Sequence, residues 1–315
     1  MSYGTVLKKI VSTVVTLILV SFLVFLAFTV ISGDPAVSKL GTEATPERLE
    51  ALREEMGLNR PFLVRYFDWF FSFIKGDMGE SYSYGMSVNE MILDKLPITL
   101  TLTVLAFVMV IAISIPMGIY AAKHQGRKTD RLIIIVNQVI MSVPPFFAGI
   151  LITVVFGVVF KFFTPGGYVS YSQNLGKFLS YLFFPALAIA LPKAAMSVKL
   201  LRSSLIEQAS LDYTRTAYSR GNTTKDVLYK HVLQNAMIPV ITFLGMALAD
   251  IFTGSIIIEQ VFNIPGLGRI LLTSISNRDY PVVMAIIVLL AFAVIVINFV
   301  VDIVYHVVDP RIGTE

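Results

Sequence analysis

The sequence predicts an all-α polytopic membrane protein with six transmembrane helices, both termini cytoplasmic and one folded extracytoplasmic loop. Three observations predict it. Of 315 residues, 56% are hydrophobic and only 15% are charged, and mean hydropathy is +0.76. A globular core cannot hide that much apolar surface, so lipid is the expected solvent. Apolar runs of about 20 residues, the length that crosses a bilayer, recur along the chain. Basic residues gather in alternate connections between those runs.

The first run, Ile10 to Ile31, follows Lys8 and Lys9. It is too long for the apolar region of a signal peptide, and no clean small-x-small cleavage site follows, so it is expected to stay as the first span. Leu96 to Ala122, Leu132 to Phe160, Ala236 to Ile258 and Tyr280 to Val301 meet the length test equally well. Phe178 to Val198 meets it with Lys193 inside, and the Ala236 run contains Asp250. An even number of spans puts both termini on one side.

Loop charge decides which side. Lys8 and Lys9 precede span one; Lys123, Arg127, Lys128 and Arg131 follow span two. Lys199, Arg202, Arg215, Arg220, Lys225 and Lys230 follow span four, and Arg311 lies at the C-terminus. The short opposite connections hold only Lys161, Lys177, Arg269 and Arg278. Basic residues mark the cytoplasmic face, which makes both termini cytoplasmic. The long segment Ser32 to Lys95, with seven basic and eleven acidic residues, is left out because long segments translocate whatever their charge. The chain then divides into residues 1–31 (terminal tip and first span), 32–95 (extracytoplasmic loop) and 96–315 (a five-helix core that includes the cytoplasmic loop 199–235).

The long loop reads as folded. Thr45 can cap a helix with Pro46 at its first position, and Gly57 can end it. Leu49, Leu52 and Met56 share a face of that helix. Phe62 to Ile74 holds Tyr66, Trp69, Phe70 and Phe73. This second helix either lies on the outer membrane surface, where aromatic rings prefer to sit, or packs against the spans. Within the spans, Pro116, Pro144, Pro145, Pro185, Pro192 and Pro239 each remove a backbone donor, and bends or breaks are expected there. Pro144 and Pro145, near Asn137, Gln138 and Ser142, either mark a polar path along span three or a packing kink.

Several kinds of chemistry are excluded. The chain has no cysteine, so disulfides, thiolate catalysis and zinc–thiolate sites are out of reach. His124, His231 and His306 are scattered and form no HExxH arrangement. No GxxxxGK[ST] segment is present to bind ATP phosphates. The net charge of +4 is small and dispersed, which gives no footprint for nucleic acid. An enzyme is not expected.

The loop after span four carries the most information. Leu201, Leu205 and Ile206 continue the span as an amphipathic helix. Asp212-Tyr213-Thr214-Arg215-Thr216-Ala217-Tyr218-Ser219-Arg220-Gly221 then ends at a glycine suited to a left-handed cap. Thr223 can cap the following helix, with Asp226 in its first turn and Val227, Leu228 and Val232 as its apolar face. Such an element below the membrane is a docking knob or merely a long connection; physics alone supports both.

At this point the sequence resembles the permease subunits of binding-protein-dependent ABC importers, and within them the oligopeptide, dipeptide and nickel permeases. The family's loop signature is Glu-Ala-Ala, three residues, then Gly. Here Arg215, Thr216, Ala217 and Gly221 hold those places. The Glu and first Ala are absent, but Tyr213-x-Arg215-Thr216-Ala217 followed by Gly221 is the form typical of this branch, as is His231-Val232-Leu233-Gln234-Asn235-Ala236-Met237-Ile238-Pro239. Further motifs recur in order: Gly33-Asp34-Pro35; Gly57-Leu58 with Pro61; Gly76-Asp77-Met78-Gly79-Glu80-Ser81; Leu96-Pro97-Ile98-Thr99-Leu100; Glu259-Gln260-Val261-Phe262 leading to Pro265-Gly266-Leu267-Gly268; and Asp302, Tyr305 and Asp309-Pro310-Arg311.

The resemblance implies a heterodimeric pore made with a second homologous permease subunit. It also implies two cytoplasmic ATPase subunits that bind the ATP and magnesium, and an extracytoplasmic solute-binding protein. This chain itself would carry no cofactor, no metal and no catalytic residue. Its place would be the plasma membrane of a prokaryote, in contact with lipid and not with nucleic acid. Asp212, Tyr213, Arg215, Thr216, Ala217 and Gly221 would contact the ATPase. The cargo would be di- or oligopeptides, with chelated nickel as the alternative within the family. A secondary transporter or channel is the alternative from another class; it calls for an internal repeat and an ion relay, of which only Lys193 and Asp250 offer any sign.

Those two charges lie in otherwise apolar spans, where an unpaired charge costs several kcal/mol. At roughly 1.5 Å of rise per residue their depths differ by about 6 Å, which a lysine stem can bridge. They are expected to meet inside the protein and help set the resting state of the pore. The alternatives are that Asp250 faces the aqueous path and receives a peptide's amino terminus, or that each charge finds a carbonyl or water of its own.

Overall fold

The computed structural model describes residues 3–31, 35–40 and 45–308. Gly33, Asp34 and the closing Asp309-Pro310-Arg311 lie outside the described residues. Helices account for nearly all of the described structure: α1 (Tyr3–Ile31), α2 (Pro35–Leu40), α3 (Pro46–Glu55), α4 (Phe62–Ile74), α5 (Val88–Lys123), α6 (Lys128–Ser142), α7 (Pro145–Ile152), α8 (Leu175–Ala209), α9 (Asp212–Ser219), α10 (Thr224–Asp226), α11 (Leu233–Val261), α12 (Leu267–Ser276) and α13 (Tyr280–Val308). Two π-helical stretches, Thr153–Val159 after α7 and Val227–Val232 before α11, complete the set. The β pairing among the described residues is a single bridge between Glu80 and Ser87.

Five helices are long and apolar enough to cross a membrane, and the α6–α7 pair makes a sixth if it is counted as one bent span. The fold is therefore an all-α polytopic membrane fold. The apolar runs underestimate helix length. α8 runs to Ala209, where no glycine or proline follows its apolar run, and α5 begins at Val88 and continues through Pro97.

The prolines behave unequally. α8 continues through Pro185 and Pro192, α11 through Pro239, and α5 through Pro116. Only the Pro144–Pro145 pair breaks its span, turning the chain by 103° between α6 and α7. A residue before proline avoids the α region, and Val143 and Pro144 are both extended, with ψ of 120° and 143°. Pro145 then starts a new helix, at a position where its missing N–H costs nothing.

Two compact units are present: the described residues of Met1–Ile98 with Pro265–Val296, and those of Thr99–Ile264 with Ile297–Glu315. In the first, α3 is capped by Thr45, whose hydroxyl accepts from the Arg48 N–H, and is closed by Leu58 N–H donating to Arg53 O, with Gly57 at φ +64°. α3 buries none of its side chains; Leu49, Leu52 and Met56 are half-buried.

α4 packs against α1 with one face and leaves the other open. Tyr66 is buried and its hydroxyl lies 3.0 Å from Ser21 Oγ of α1. Phe22 meets Phe62 and Tyr66 edge-on at 5.8 and 5.2 Å between ring centroids, and Phe25 lies 5.4 Å from Trp69. Such aromatic pairs add about 0.5–1.5 kcal/mol each beyond burial. Leu63, Phe67, Phe71 and Ile74 stay exposed, an apolar face suited to lipid.

The second unit is built on α8, which packs along α11 and against α6 and α7. Small residues let the helices close up. A Cβ on Gly118 would come within 2.9 Å of Leu201 Cδ2, and one on Gly245 within 2.2 Å of Val301 Cγ1.

Candidate functional site

The loop that follows α8 folds as two turns of helix, α9, separated by Gly221 from the next element. Thr214 and Ala217 face inward and are buried, whereas Asp212, Arg215, Thr216, Ser219 and Arg220 face outward. Local bonds hold this shape. Thr216 Oγ1 donates to Asp212 O at 3.1 Å, Tyr213 OH donates to Gln208 Oε1 at 3.0 Å, and the Asn222 amide donates to Ala217 O at 3.0 Å. Gly221, at φ +85°, occupies the left-handed region where a side chain is strained. Thr223 then caps α10, accepting from Asp226 N–H at 3.2 Å.

α9 does not rest on a filled core. A cavity of about 540 Å³ lies between it and the ends of α5 and α8, lined by Lys123, Leu205, Ile206, Tyr218 and Leu228 among others. The outer face of α9 carries two guanidinium groups, Arg215 and Arg220. The Arg215–Asp212 pair, at 3.5 Å with side chains 80% and 94% exposed, is a surface contact of little energetic weight.

Lys193 and Asp250 come together: Lys193 Nζ donates to Asp250 Oδ2 at 2.5 Å, joining α8 to α11. They are not enclosed by this chain, however. Their side chains are 28% and 61% exposed, because Asp250 stands on a line of α11 that this chain leaves open, with Met246, Thr253 and Ile257 one and two turns away. The two predicted groups of residues, α9 and the ion pair, are separate sites.

Three buried carboxylates were missed by the sequence reading. Asp130, at the start of α6, is bound in bidentate fashion by Arg202 of α8, Nε to Oδ1 at 2.6 Å and Nη2 to Oδ2 at 2.8 Å, and also accepts from Gly126 N–H at 2.9 Å. Glu259, fully buried near the end of α11, accepts from Thr99 Oγ1 at 2.6 Å. Asp279, also fully buried, accepts from the Ser81 hydroxyl, from Tyr82 N–H at 2.9 Å and from Ser83 N–H at 3.3 Å.

Each had a signal. Asp130 is the acid at the foot of an apolar run beside basic residues, Glu259 directly continues the run Ile256-Ile257-Ile258, and Asp279 immediately precedes a span. Beside Asp279, burial pushes the Tyr82 phenol up to about 12, with Arg65 opposing the shift and the Asp279 carboxylate adding to it. Tyr82 is thus neutral at physiological pH. Among the described residues no three His, Asp or Glu side chains gather as a metal site.

Comparison with known proteins shows the family of the chain. Residues 114–314 match the model for the binding-protein-dependent transport system inner membrane component, and residues 3–103 match its N-terminal counterpart. The chain is 33% identical to the oligopeptide transport system permease protein AppB of Bacillus subtilis. It is 35% identical to the glutathione transport system permease protein GsiC of Escherichia coli, and 32% identical to a probable peptide ABC transporter permease of Sinorhizobium fredii. Each match covers 98% of both chains.

Proposed function

Because the chain belongs to the binding-protein-dependent transport system inner membrane component family, and is a non-catalytic, multi-pass ABC importer permease of the plasma membrane, we propose that its cargo is di- or oligopeptides. The single observation that carries this reading is the run of relatives, matched end to end, that are named for oligopeptide, peptide or glutathione transport. Glutathione is itself a small peptide. The assembly proposed is this chain with a second homologous permease, two cytoplasmic ATPase subunits that bind ATP and magnesium, and an extracytoplasmic solute-binding protein. The test is uptake of labelled peptides, and separately of nickel, by the complete complex in proteoliposomes. ATP-dependent uptake of peptide is the expected result; uptake of nickel alone would refute the peptide reading.

α9 is proposed as the coupling helix, with Asp212, Arg215 and Thr216 on the exposed face seated in the ATPase, Tyr213 and the buried Ala217 holding the helix to its own chain, and Gly221 as its hinge. Its exposed polar face and the space beneath it support this role. The ATPases close on ATP and the helix is displaced as a rigid body, which shifts a bundle that has two packings of similar energy. Gly221→Val should leave insertion intact and strain the turn, since a β-branched residue resists positive φ. ATPase activity should then cease to respond to loaded binding protein; a normal response would remove α9 from the coupling path.

Residues 32–95 are proposed to lie outside the membrane and to meet the binding protein or the outer rim of the pore. Ser83→Cys gives a unique exposed thiol in a cysteine-free chain. An impermeant reagent should label it on intact cells; labelling only after the cytoplasm is opened would invert the topology.

A further inference from the structure

We propose that the Lys193–Asp250 pair is a receptor for the two charged ends of a passing peptide, the substrate ammonium taking Asp250 and the substrate carboxylate taking Lys193. The inference rests on the peptide reading above and goes beyond it by naming the residues and the feature of the substrate they sense.

Three observations carry it. The pair is made across two spanning helices, α8 and α11, at 2.5 Å, and among the described residues no other carboxylate or ammonium forms an ion pair with either side chain. Asp250 is 61% exposed and Lys193 28% exposed, in segments that are otherwise apolar. Charges at that depth do not face hydrocarbon; they face a partner or a water-filled path. Finally, the line that carries Asp250 alternates methionine, threonine and isoleucine, a surface that offers no rival charge and suits varied side chains.

An ion pair of this kind is exchangeable in a way that suits a zwitterion. When a peptide with free ends arrives, one internal pair becomes two external ones, and the site with its cargo stays neutral throughout. A cation or an anion alone would satisfy one member and leave the other unpaired in a low-dielectric setting, which is costly. The lysine stem supplies the adjustable reach. Two or three residues of extended chain span roughly 7–11 Å, so short peptides can hold both groups at once and longer ones engage them in turn.

The test uses the complete complex in proteoliposomes with a saturating loaded binding protein. Uptake of each peptide is expressed relative to wild type on the same peptide, so that the binding protein's own preference cancels. The doubly neutral variant Lys193→Met/Asp250→Leu is the informative one. The expected result is a tenfold or greater loss of uptake for a tripeptide with free ends and an unchanged melting temperature of the complex. Asp250→Asn should spare an N-acetylated peptide and Lys193→Gln a C-amidated one, each within twofold. Wild-type uptake in the double variant overturns the inference, as does loss of uptake together with loss of melting temperature, which would make the pair a structural strut. Equal losses for free and blocked peptides in the single variants also overturn it. A wild-type complex that carries nickel and no peptide overturns the peptide reading and this inference together; a wild-type complex that carries peptide leaves only the inference at stake.

Discussion

α8 makes two ion pairs with its neighbours, and they are opposites. Arg202 holds Asp130 of α6 with a planar fork, in surroundings that leave the two side chains 19% and 2% exposed. Lys193, nine residues earlier in α8, holds Asp250 of α11 by a single ammonium, with 28% and 61% exposure. A guanidinium fork fixes distance and orientation together, whereas an ammonium on a flexible stem fixes only charge. Burial adds to the contrast, since an enclosed pair has no water to replace a lost partner. The same helix thus carries one joint built to stay closed and one built to open.

The comparison can be broken most directly at the closed joint. Asp130→Asn leaves the Arg202 charge enclosed and should cost about 3–5 kcal/mol, read as a fall in thermal stability of the detergent-solubilised protein. Asp130→Leu with Arg202→Met should regain most of that. A harmless Asp130→Asn would mean that enclosure does not separate the two joints.

The next effect asks whether enclosure needs an opposite charge. Asp279 is fully buried and is held by a hydroxyl and two backbone N–H groups. Asp279→Asn turns one acceptor into a donor facing donors, and should cost about 1.5–3 kcal/mol by the same assay. Above pH 10 the neighbouring Tyr82 adds a second handle. Its phenol is raised from 10.0 to about 12, so the stability it contributes is intact below pH 10 and is lost as pH rises through 12. Tyr82→Phe should flatten that part of the pH profile.

At the open joint, Asp250→Asn should cost less stability than Asp130→Asn, because the Asp250 side chain is 61% exposed where that of Asp130 is 2% exposed. Its effect should appear in transport instead. Smallest of all is the Arg215–Asp212 pair on α9: Arg215→Ala should leave the melting temperature unchanged, and any loss should be confined to the ATPase response.

Much of this fold was legible from residue order alone, for a reason specific to membranes. A span must be about 20 apolar residues long and its flanks must carry charge of the right sign, so the six runs and their connections could be marked without knowing what touches what. Thr45, Gly57, Thr223 and Gly221 were legible too, since caps act within four residues. The break at Pro144 and Pro145 was legible as one of several expected bends, but its 103° turn was not, because Leu132 to Phe160 is apolar on both sides of it and hydropathy does not record direction. The buried acids failed for another reason. Asp130 and Arg202 are 72 residues apart, and each alone looks like a solvated loop charge. Asp279 and Ser81 are 198 apart, and only the folded chain brings them together. Lys193 and Asp250 stood out because nothing polar surrounds them in the sequence, yet order could not tell an enclosed pair from an open one.

The π-helical stretches at Thr153–Val159 and Val227–Val232 bear on how permeases of this family can differ in length. Each closes its hydrogen bonds five residues back, as Phe160 N–H does to Val155 O and Leu233 N–H to Leu228 O, so it holds one residue more than an α-helix needs to join the same two flanks. Removing a residue there lets the turn tighten to α geometry while α9 and α11 keep their orientation. The same deletion within α8 would rotate everything beyond it by about 100° and point Lys193 or Arg202 away from its partner. Alignments of related permeases should therefore place single-residue gaps at 153–159 and 227–232, and leave α8 ungapped between its two joints.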